Sequence, residues 1–253
     1  MSLIIHHRST SFKYPSSTFK TTLKNSFFAC ATVGLAIESA NVVGYQQNPV
    51  VGYKMLTPTF ENINSDTINI DEFEVKNATD GLTSIQVMNS DGRWTGTYYW
   101  FNAVPEMYLP AGWFDVNGEI PAGVTLNRGD AVFFYTEEMN VTAGNAGQVS
   151  SSAIVNDIAG YKMVGNCTPV AISIDQVEVL NATDGMTSVQ VMNSEGRWTG
   201  TYYWFNAVPE MDLPAGWFDV NGEIPAGITL QPGDSIFFYT EENNIKAVIL
   251  PAI

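Results

Sequence analysis

Short runs of alternating apolar and polar positions recur along the chain, and they predict β-strands. Ile85 and Val87 alternate with polar side chains, so we predict that both point into a core. Val132 and Phe134 follow the same pattern and are predicted to point inward as well. No segment after residue 40 shows a sustained helical period.

The aromatic-rich run at residues 93–101 also alternates. Its even positions carry Trp94, Tyr98 and Trp100, and we predict that this face lies in the core. The other face is then predicted to face solvent and holds Arg93, Thr95, Thr97, Tyr99 and Phe101.

Turn signals separate these runs, among them Asp80-Gly81, Asp91-Gly92 and Asn117-Gly118. Roughly seven short strands per 100 residues are typical of an antiparallel β-sandwich. We therefore predict an all-β chain of Ig-like or jelly-roll-like sandwiches, with a closed barrel as the alternative.

The chain contains an internal duplication. Residues 77–138 recur as residues 181–242 at a constant offset of 104, with 53 of 62 positions identical. Residues 52–55 match residues 160–163 at an offset of 108. We predict two tandem modules, at 41–148 and 149–253, joined by a small polar linker over 142–152.

Differences between the copies predict which side chains are buried. Four exchanges of one apolar residue for another are predicted core positions: Leu82/Met186, Ile85/Val189, Val124/Ile228 and Val132/Ile236. Four exchanges that change chemical character are predicted surface positions: Tyr108/Asp212, Asn127/Gln231, Arg128/Pro232 and Ala131/Ser235.

The first forty residues predict export. A polar preamble precedes the basic side chains Lys20 and Lys24 and an apolar run from Ser26 to Ile37, which is the order of a signal peptide. The apolar run is too short for a stable membrane span. We predict a mature chain that begins near residue 41 and is secreted, on the cell surface or in the periplasm.

The net charge changes the expected partners. The formal charge is -15, and removing residues 1–40, with four basic and one acidic residue, leaves 7 basic and 25 acidic residues, or -18. A field of this sign repels nucleic acid and anionic lipid, so neither is an expected partner. It would attract a basic partner or divalent cations, or it serves solubility alone.

Histidine content limits the available chemistry. His6 and His7 are the only histidines and both precede the predicted mature chain, which excludes histidine-based catalytic triads and zinc sites there. Cys167 has no aligned thiol in the first copy and is predicted to be a buried small residue. A glycosidase-type carboxylate pair is the remaining enzymatic alternative. We expect no catalytic residues, no enzyme activity and no cofactor.

One carboxylate-rich loop allows a metal hypothesis. Oxygen-bearing side chains follow each other closely around a glycine in both copies, at Asp115, Asn117, Glu119, Asp219, Asn221 and Glu223. Calcium binding is a weak candidate here, because the glycine comes too early for a helix–loop–helix calcium loop. A hairpin turn at Asn-Gly is the preferred interpretation.

Aromatic side chains give the second hypothesis. An outward stacking platform for sugar rings, with scarce arginines beside it, is predicted from Arg93, Tyr99, Phe101, Trp113, Arg197, Tyr203, Phe205 and Trp217. Two such sites would gain avidity on a polymer. The alternative is that these rings fill the sandwich core or an interface between modules.

Three features of the sequence carry a resemblance: Ser39-Ala40-Asn41-Val42-Val43-Gly44-Tyr45 after an apolar signal, the Gly-Tyr-Lys-Met segments and the Phe-Phe-Tyr-Thr-Glu-Glu motif. In these features the chain resembles a group of uncharacterised secreted tandem-repeat β-module proteins of Gram-negative bacteria. The resemblance implies an exported β module and supplies no catalytic residues. The leading functional hypothesis is a non-enzymatic structural or surface-assembly protein that self-associates or contacts cell-surface components. The alternative is a tandem carbohydrate-binding module acting on a polysaccharide.

Overall fold

A computed structural model describes residues 43–62, 65, 67–89, 92–149, 152–193 and 195–250. The predicted preamble and signal peptide at 1–40 lie outside these residues. Within them the chain is all-β, as predicted, and forms two similar modules. No helix of this part of the chain is long and apolar enough to cross a membrane.

Within the residues that the structure describes, each module has eight strands. In module 1 they are β1 (Val43–Leu56), β2 (Thr67–Asn69), β3 (Glu74–Lys76), β4 (Thr83–Met88), β5 (Trp94–Phe101), β6 (Gly112–Phe114), β7 (Thr125–Asn127) and β8 (Val132–Gln148). In module 2 they are β9 (Ile154–Gly165), β10 (Ile172–Ser173), β11 (Val177–Leu180), β12 (Thr187–Met192), β13 (Trp198–Phe205), β14 (Gly216–Phe218), β15 (Thr229–Leu230) and β16 (Ser235–Ile249). Short 3-10 turns lie at Ile70–Glu72, Pro105–Met107, Ile174–Gln176 and Pro209–Met211.

All strand pairs are antiparallel. The main sheet of module 1 has the order β1-β8-β4-β5-β6, with β3 added to the far part of β8, and β2 pairs with β7 in a second sheet. Module 2 repeats this as β9-β16-β12-β13-β14 with β11 on β16, and β10 with β15. Among the described residues β1 and β6 are the two ends of the main sheet, so this sheet is open. A closed barrel has no end strands, so the module fits the predicted sandwich better than the barrel.

A bulge in the β1–β8 pair shapes the module. Val50 pairs with Val141 and Gly52 pairs with Thr136, so four β8 residues have no partner on β1 between them. Gly52 and Asn140 both take the left-handed conformation there, with φ of 63° and 68°. The first part of β8 therefore pairs with β4 and the last part with β3, and both parts contribute side chains to one core.

Aromatic and aliphatic side chains fill that core. The Trp113 ring lies edge-on to the rings of Trp100 and Phe134, at centroid distances of 5.4 and 5.6 Å, and Phe73 also contacts Phe134. Edge-to-face pairs of this kind add about 0.5–1.5 kcal/mol each beyond their buried area. The predicted inward positions Ile85, Val87, Val132 and Phe134 are confirmed as buried.

Three of the burial assignments predicted from exchanges between the copies are wrong. Pro232, predicted to lie at the surface, is buried. Leu82 and Met186 are 56% and 59% exposed, because they lie in the turns that precede β4 and β12 rather than in the core. Ala131 and Ser235 are buried, although they lie outside the module cores. They are covered by the neighbouring module, a contact that a prediction of one isolated module omits.

The segment predicted as a linker is largely strand. Residues 142–148 continue β8, and Ala143, Gly144 and Asn145 are buried. The connection between β8 and β9 is therefore reduced to residues 149–153. The small residues of this segment allow β8 to pack closely on β1, since a side chain on Gly144 would collide with the backbone of Gln46.

The two modules join in a reciprocal way, and we call this junction the seam. Thr57 N donates to Gly233 O at 2.9 Å, and its counterpart Gly165 N donates to Gly129 O at 3.0 Å. An apolar cluster of Met55, Ala131 and Met163 lies between the modules, flanked by Met88, Phe133, Met192 and Phe237. These two backbone hydrogen bonds are counterparts of each other, which is the property of an interface with approximate two-fold symmetry.

Candidate functional site

A row of aromatic side chains crosses the outer face of the module 1 main sheet. Tyr53 pairs with Tyr135, Tyr135 with Ser84, Ser84 with Tyr99, and Tyr99 with Phe114. Directly opposite residues share a face, so all five side chains point away from the core. At about 4.8 Å per strand the row is about 19 Å long. We call these five residues the aromatic row of module 1.

Module 2 contains the same arrangement. Its aromatic row consists, in strand order, of Tyr161, Tyr239, Ser188, Tyr203 and Phe218. Tyr53 and Tyr161, at the β1 and β9 ends of the two rows, are 50% and 47% exposed. The remaining rings are half-buried by their neighbours.

Each row is interrupted by a serine, which leaves a gap between two rings. Ser84 is 9% exposed because the larger Tyr135 and Tyr99 stand on either side of it. Polar side chains run alongside, and Gln86 Nε2 donates to Thr97 Oγ1 at 3.5 Å on the same face. The outer face therefore offers flat rings and hydrogen-bonding groups next to each other.

Hydrogen bonds fix the central rings. Tyr135 Oη donates to Glu137 Oε1 at 2.5 Å, and Tyr239 Oη donates to Glu241 Oε1 at 2.6 Å. These hydrogen bonds, with the nearby negative charge, raise the pKa of both tyrosines above the usual value of 10.0. Both phenols are therefore neutral at physiological pH.

The structure assigns the predicted platform residues to different places. Tyr99 and Tyr203 belong to the aromatic rows, as the outward prediction for their face implies. Phe101 and Phe205 lie on the same outer face and are half-buried. Their rings pack edge-on against Phe114 and Phe218 at 6.0 and 5.9 Å, so they support the ends of the rows.

The prediction for Trp113 and Trp217 is wrong, since both are fully buried in the module cores. Trp113 pairs with Trp100 and therefore shares its inward face. Phe114, the next residue along β6, points outward because neighbours in a strand face opposite sides. The sequence interpretation had grouped adjacent rings without applying that alternation.

The two arginines do not accompany the tyrosines of their own module. Arg93 precedes the first residue of β5, and Tyr99 is six residues further on, about 20 Å along an extended strand. The turn that contains Arg93 packs instead on module 2, where Gly92 lies against the backbone of Tyr161. Gly196 lies against the backbone of Tyr53 in the same way. Arg93 and Arg197 therefore stand beside the aromatic row of the opposite module.

Sequence reasoning missed Tyr53 and Tyr135 and misplaced Trp94. The alternation that places Phe134 inward also places Tyr135 outward, so that signal was present. Trp94 was predicted to be in the core, yet it is 49% exposed and contacts Phe133 at 6.1 Å. A bulge in the β4–β5 pair, where Met88 pairs with Trp94 but Val87 pairs with Gly96, turns Trp94 to the outer face.

The calcium candidates form a compact turn. Asp115 Oδ1 accepts hydrogen bonds from the amides of Glu119 and Ile120 at 2.8 and 3.0 Å, and Gly118 has a φ of 73°. These backbone hydrogen bonds lower the pKa of Asp115, and the equivalent bonds lower that of Asp219. Within the described residues, no group of three or more His, Cys, Asp or Glu side chains is placed to hold a metal ion. The geometry favours the turn interpretation.

Cys167 is 7% exposed and packs into the core of module 2, as predicted. Burial raises the pKa of its thiol to about 12. The reactive thiolate is therefore not populated at neutral pH.

Comparisons with protein-family models, with curated proteins and with solved structures find no match for this chain. The resemblance to secreted tandem-repeat proteins stays a prediction, and the two aromatic rows are the features from which a function must be argued.

Proposed function

We propose that this chain is a non-enzymatic, exported binding protein that holds an uncharged polysaccharide on its two aromatic rows. The row of Tyr53, Tyr135, Ser84, Tyr99 and Phe114, present once in each module, carries the proposal. Flat rings stack against the apolar faces of sugars, and the neighbouring amide and hydroxyl groups bind sugar hydroxyls. A row of about 19 Å is long enough for several sugar residues.

The charge of the chain favours an uncharged ligand. Without residues 1–40 the formal charge is -18, from 7 basic and 25 acidic residues. An anionic polymer would approach against this field, whereas a neutral polymer is unaffected by it. Two copies of the row on one chain would bind one polymer twice and gain avidity.

Binding to insoluble cellulose, chitin and starch, with depletion of protein from solution as the readout, tests the proposal. The double variant Tyr99→Ala, Tyr203→Ala is expected to lower the affinity for the bound polymer at least tenfold. Tyr108→Asp is the matched control, because Tyr108 is 94% exposed, is not one of the row residues and is already Asp212 in the other module. Absence of binding to every polymer, or equal binding by the double variant, would contradict the proposal.

Surface assembly is the second candidate, and exposed apolar loops favour it. In the connections on either side of β6, large apolar side chains are between 48% and 94% exposed, namely Met107, Tyr108, Leu109, Val116 and Ile120. Module 2 repeats the pattern with Met211, Leu213, Val220 and Ile224. Apolar side chains grouped on a surface are typical of protein–protein contacts.

Light scattering coupled to size-exclusion chromatography, together with electron microscopy, tests assembly. If the loops drive it, oligomers form in the wild-type protein and are lost on Met107→Ser combined with Met211→Ser. A monomer at every protein and salt concentration would contradict self-assembly while leaving the polysaccharide proposal intact.

A further inference from the structure

A cavity of about 380 Å³ lies at the seam, and both modules line it. From module 1 it receives side chains of β1, including Gln47, Lys54 and Met55. From module 2 it receives Met192, Asp234 and the first residue of β16, Ser235. This volume falls within the range of small-molecule sites in proteins.

The charges in this cavity are already compensated. Lys54 Nζ lies 3.8 Å from Asp234 Oδ1 and donates to Pro49 O at 3.2 Å. Asp234 Oδ2 accepts from the amide of Gln231 at 2.9 Å. The ion pair therefore leaves no net charge for a ligand to neutralise, and an uncharged ligand fits best.

Two polar groups of the cavity wall are buried without a hydrogen-bond partner in the protein. Ser235 Oγ is one, on a residue that is 5% exposed, and Gln47 Nε2 is the other. The opposite end of the Gln47 amide is held in place, because Thr142 Oγ1 donates to Gln47 Oε1. Buried polar groups are nearly always hydrogen-bonded, so a molecule in the cavity is expected to complete them.

The other side of the seam is not equivalent. The space there is divided into a void of about 10 Å³ beside Ala131 and Met163 and an open hollow of about 470 Å³ beside charged side chains. Lys162 Nζ lies 2.8 Å from Asp130 Oδ1, which is closer than Lys54 Nζ lies to Asp234 Oδ1 in the first cavity. Ala131 replaces Ser235, and Val155 replaces Gln47 at the offset of 108. Gln47 Nε2 and Ser235 Oγ therefore have no counterparts there, although Asn156 Nδ2 is buried without a hydrogen-bond partner on that side.

We propose that this cavity binds one uncharged sugar residue, in contact with both modules. The inference rests on the proposed carbohydrate ligand and adds a subsite apart from the aromatic rows. Gln47 Nε2 donates to a sugar hydroxyl, and Ser235 Oγ exchanges a hydrogen bond with another. Met55 and Met192 contact the carbon faces of the ring. One site per chain follows from the difference between the two sides of the seam.

Amide-detected NMR titration of the full chain with glucose, galactose and N-acetylglucosamine tests the subsite. At least one sugar is expected to bind with 1:1 stoichiometry and a Kd on the order of 1–10 mM, as suits a small ligand. The double variant Gln47→Val, Ser235→Ala is expected to weaken binding at least tenfold. Both replacements already occur at the equivalent positions of the other side, so the fold should be retained.

Two further variants separate this subsite from the aromatic rows. Ala131→Ser is the matched control at the other side of the seam and should leave affinity unchanged. Tyr99→Ala with Tyr203→Ala should abolish polysaccharide binding and leave monosaccharide binding intact. Failure of all three sugars to shift the Gln47 side-chain signals, or equal binding by the Gln47→Val, Ser235→Ala variant, would overturn the subsite whatever the polymer assays show.

Discussion

The rings of Tyr53 and Tyr135 lie with their centroids 4.5 Å apart and their planes tilted by 35°. Tyr161 and Tyr239 repeat this arrangement at 4.6 Å and 34°. The β1–β8 and β9–β16 pairings therefore orient the rings in the same way in both modules. A cross-strand aromatic pair adds about 0.2–1 kcal/mol to the stability of a sheet, and the Tyr53 side of this pair still leaves ring surface exposed, since Tyr53 is 50% exposed. This exposed ring surface is what the polysaccharide proposal uses.

Core and surface aromatics should respond differently to truncation. Trp113→Ala is expected to lower the free energy of unfolding by about 3–5 kcal/mol, because the indole is fully buried against Trp100 and Phe134. Tyr99→Ala is expected to lower the free energy of unfolding by about 0.2–1 kcal/mol, which is the contribution of one cross-strand pair. Urea unfolding followed by tryptophan fluorescence measures both. Equal losses would mean that Tyr99 is a core residue rather than part of a binding face.

The sequence pattern predicts the strands well where alternation runs through a regular ladder. Ile85, Val87, Val132 and Phe134 lie in such ladders, and all four face inward. Alternation fails at Trp94, because a bulge inserts one residue without any mark in the pattern. The bulge depends on the pairing of β4 with β5, which is tertiary information.

The seam could not be predicted from the sequence either, because burial there also depends on tertiary contacts. Ala131 and Ser235 differ in polarity and were predicted to face solvent, yet both are covered by the opposite module. Conservative exchange was also an unreliable guide to burial, since Leu82 and Met186 are exposed. Between two near-identical copies, similar residues at a position reflect short divergence as readily as a packing constraint.

The turn carboxylates should titrate below their usual range. Asp115 and Asp219 have lowered pKa values, chiefly because each accepts backbone hydrogen bonds that favour the charged form. Carbon-detected NMR titration of the side-chain carboxyls should place both midpoints below 3.8, the usual value for an aspartate. The contribution to folding is present above pH 3.8 and is lost as pH falls through the lower folded-state pKa.

Addition of calcium should leave the Asp115 midpoint unchanged if the loop is a turn. A calcium-dependent shift at Asp115 and Asn117 together would restore the metal hypothesis.

The ion pair of Lys54 and Asp234 across the seam should determine how the stability of one variant depends on pH. Burial raises the pKa of Asp234, and the nearby Lys54 charge opposes that rise. In Lys54→Met the opposing charge is gone, so the Asp234 pKa rises further. A folded-state pKa above the unfolded value means that folding takes up a proton, and stability falls as pH rises through that window.

Lys54→Met is therefore expected to gain more stability than the wild type when the pH is lowered from about 7 to about 5. Urea unfolding at the two pH values measures the difference. The double variant Lys54→Met, Asp234→Asn should lose this extra response. If the double variant keeps it, another group at the seam is the one that titrates.

A pair of glycines with the same backbone geometry isolates the contribution of the seam. Gly92 and Gly81 both have a φ of 74°, so an alanine at either position carries the same left-handed strain of about 1 kcal/mol. At Gly81 the nearest atom to a new Cβ is Phe101, at 3.7 Å. At Gly92 the Cβ would meet the backbone oxygen of Tyr161 in the other module at 2.6 Å, which is too close. Gly92→Ala must therefore move the turn off β9, and it should lower the free energy of unfolding by at least 1 kcal/mol more than Gly81→Ala does.

Small-angle scattering should also show a larger radius of gyration for Gly92→Ala alone. Matching stability and radius in the two variants would mean that the 89–93 turn does not pack against module 2 in solution.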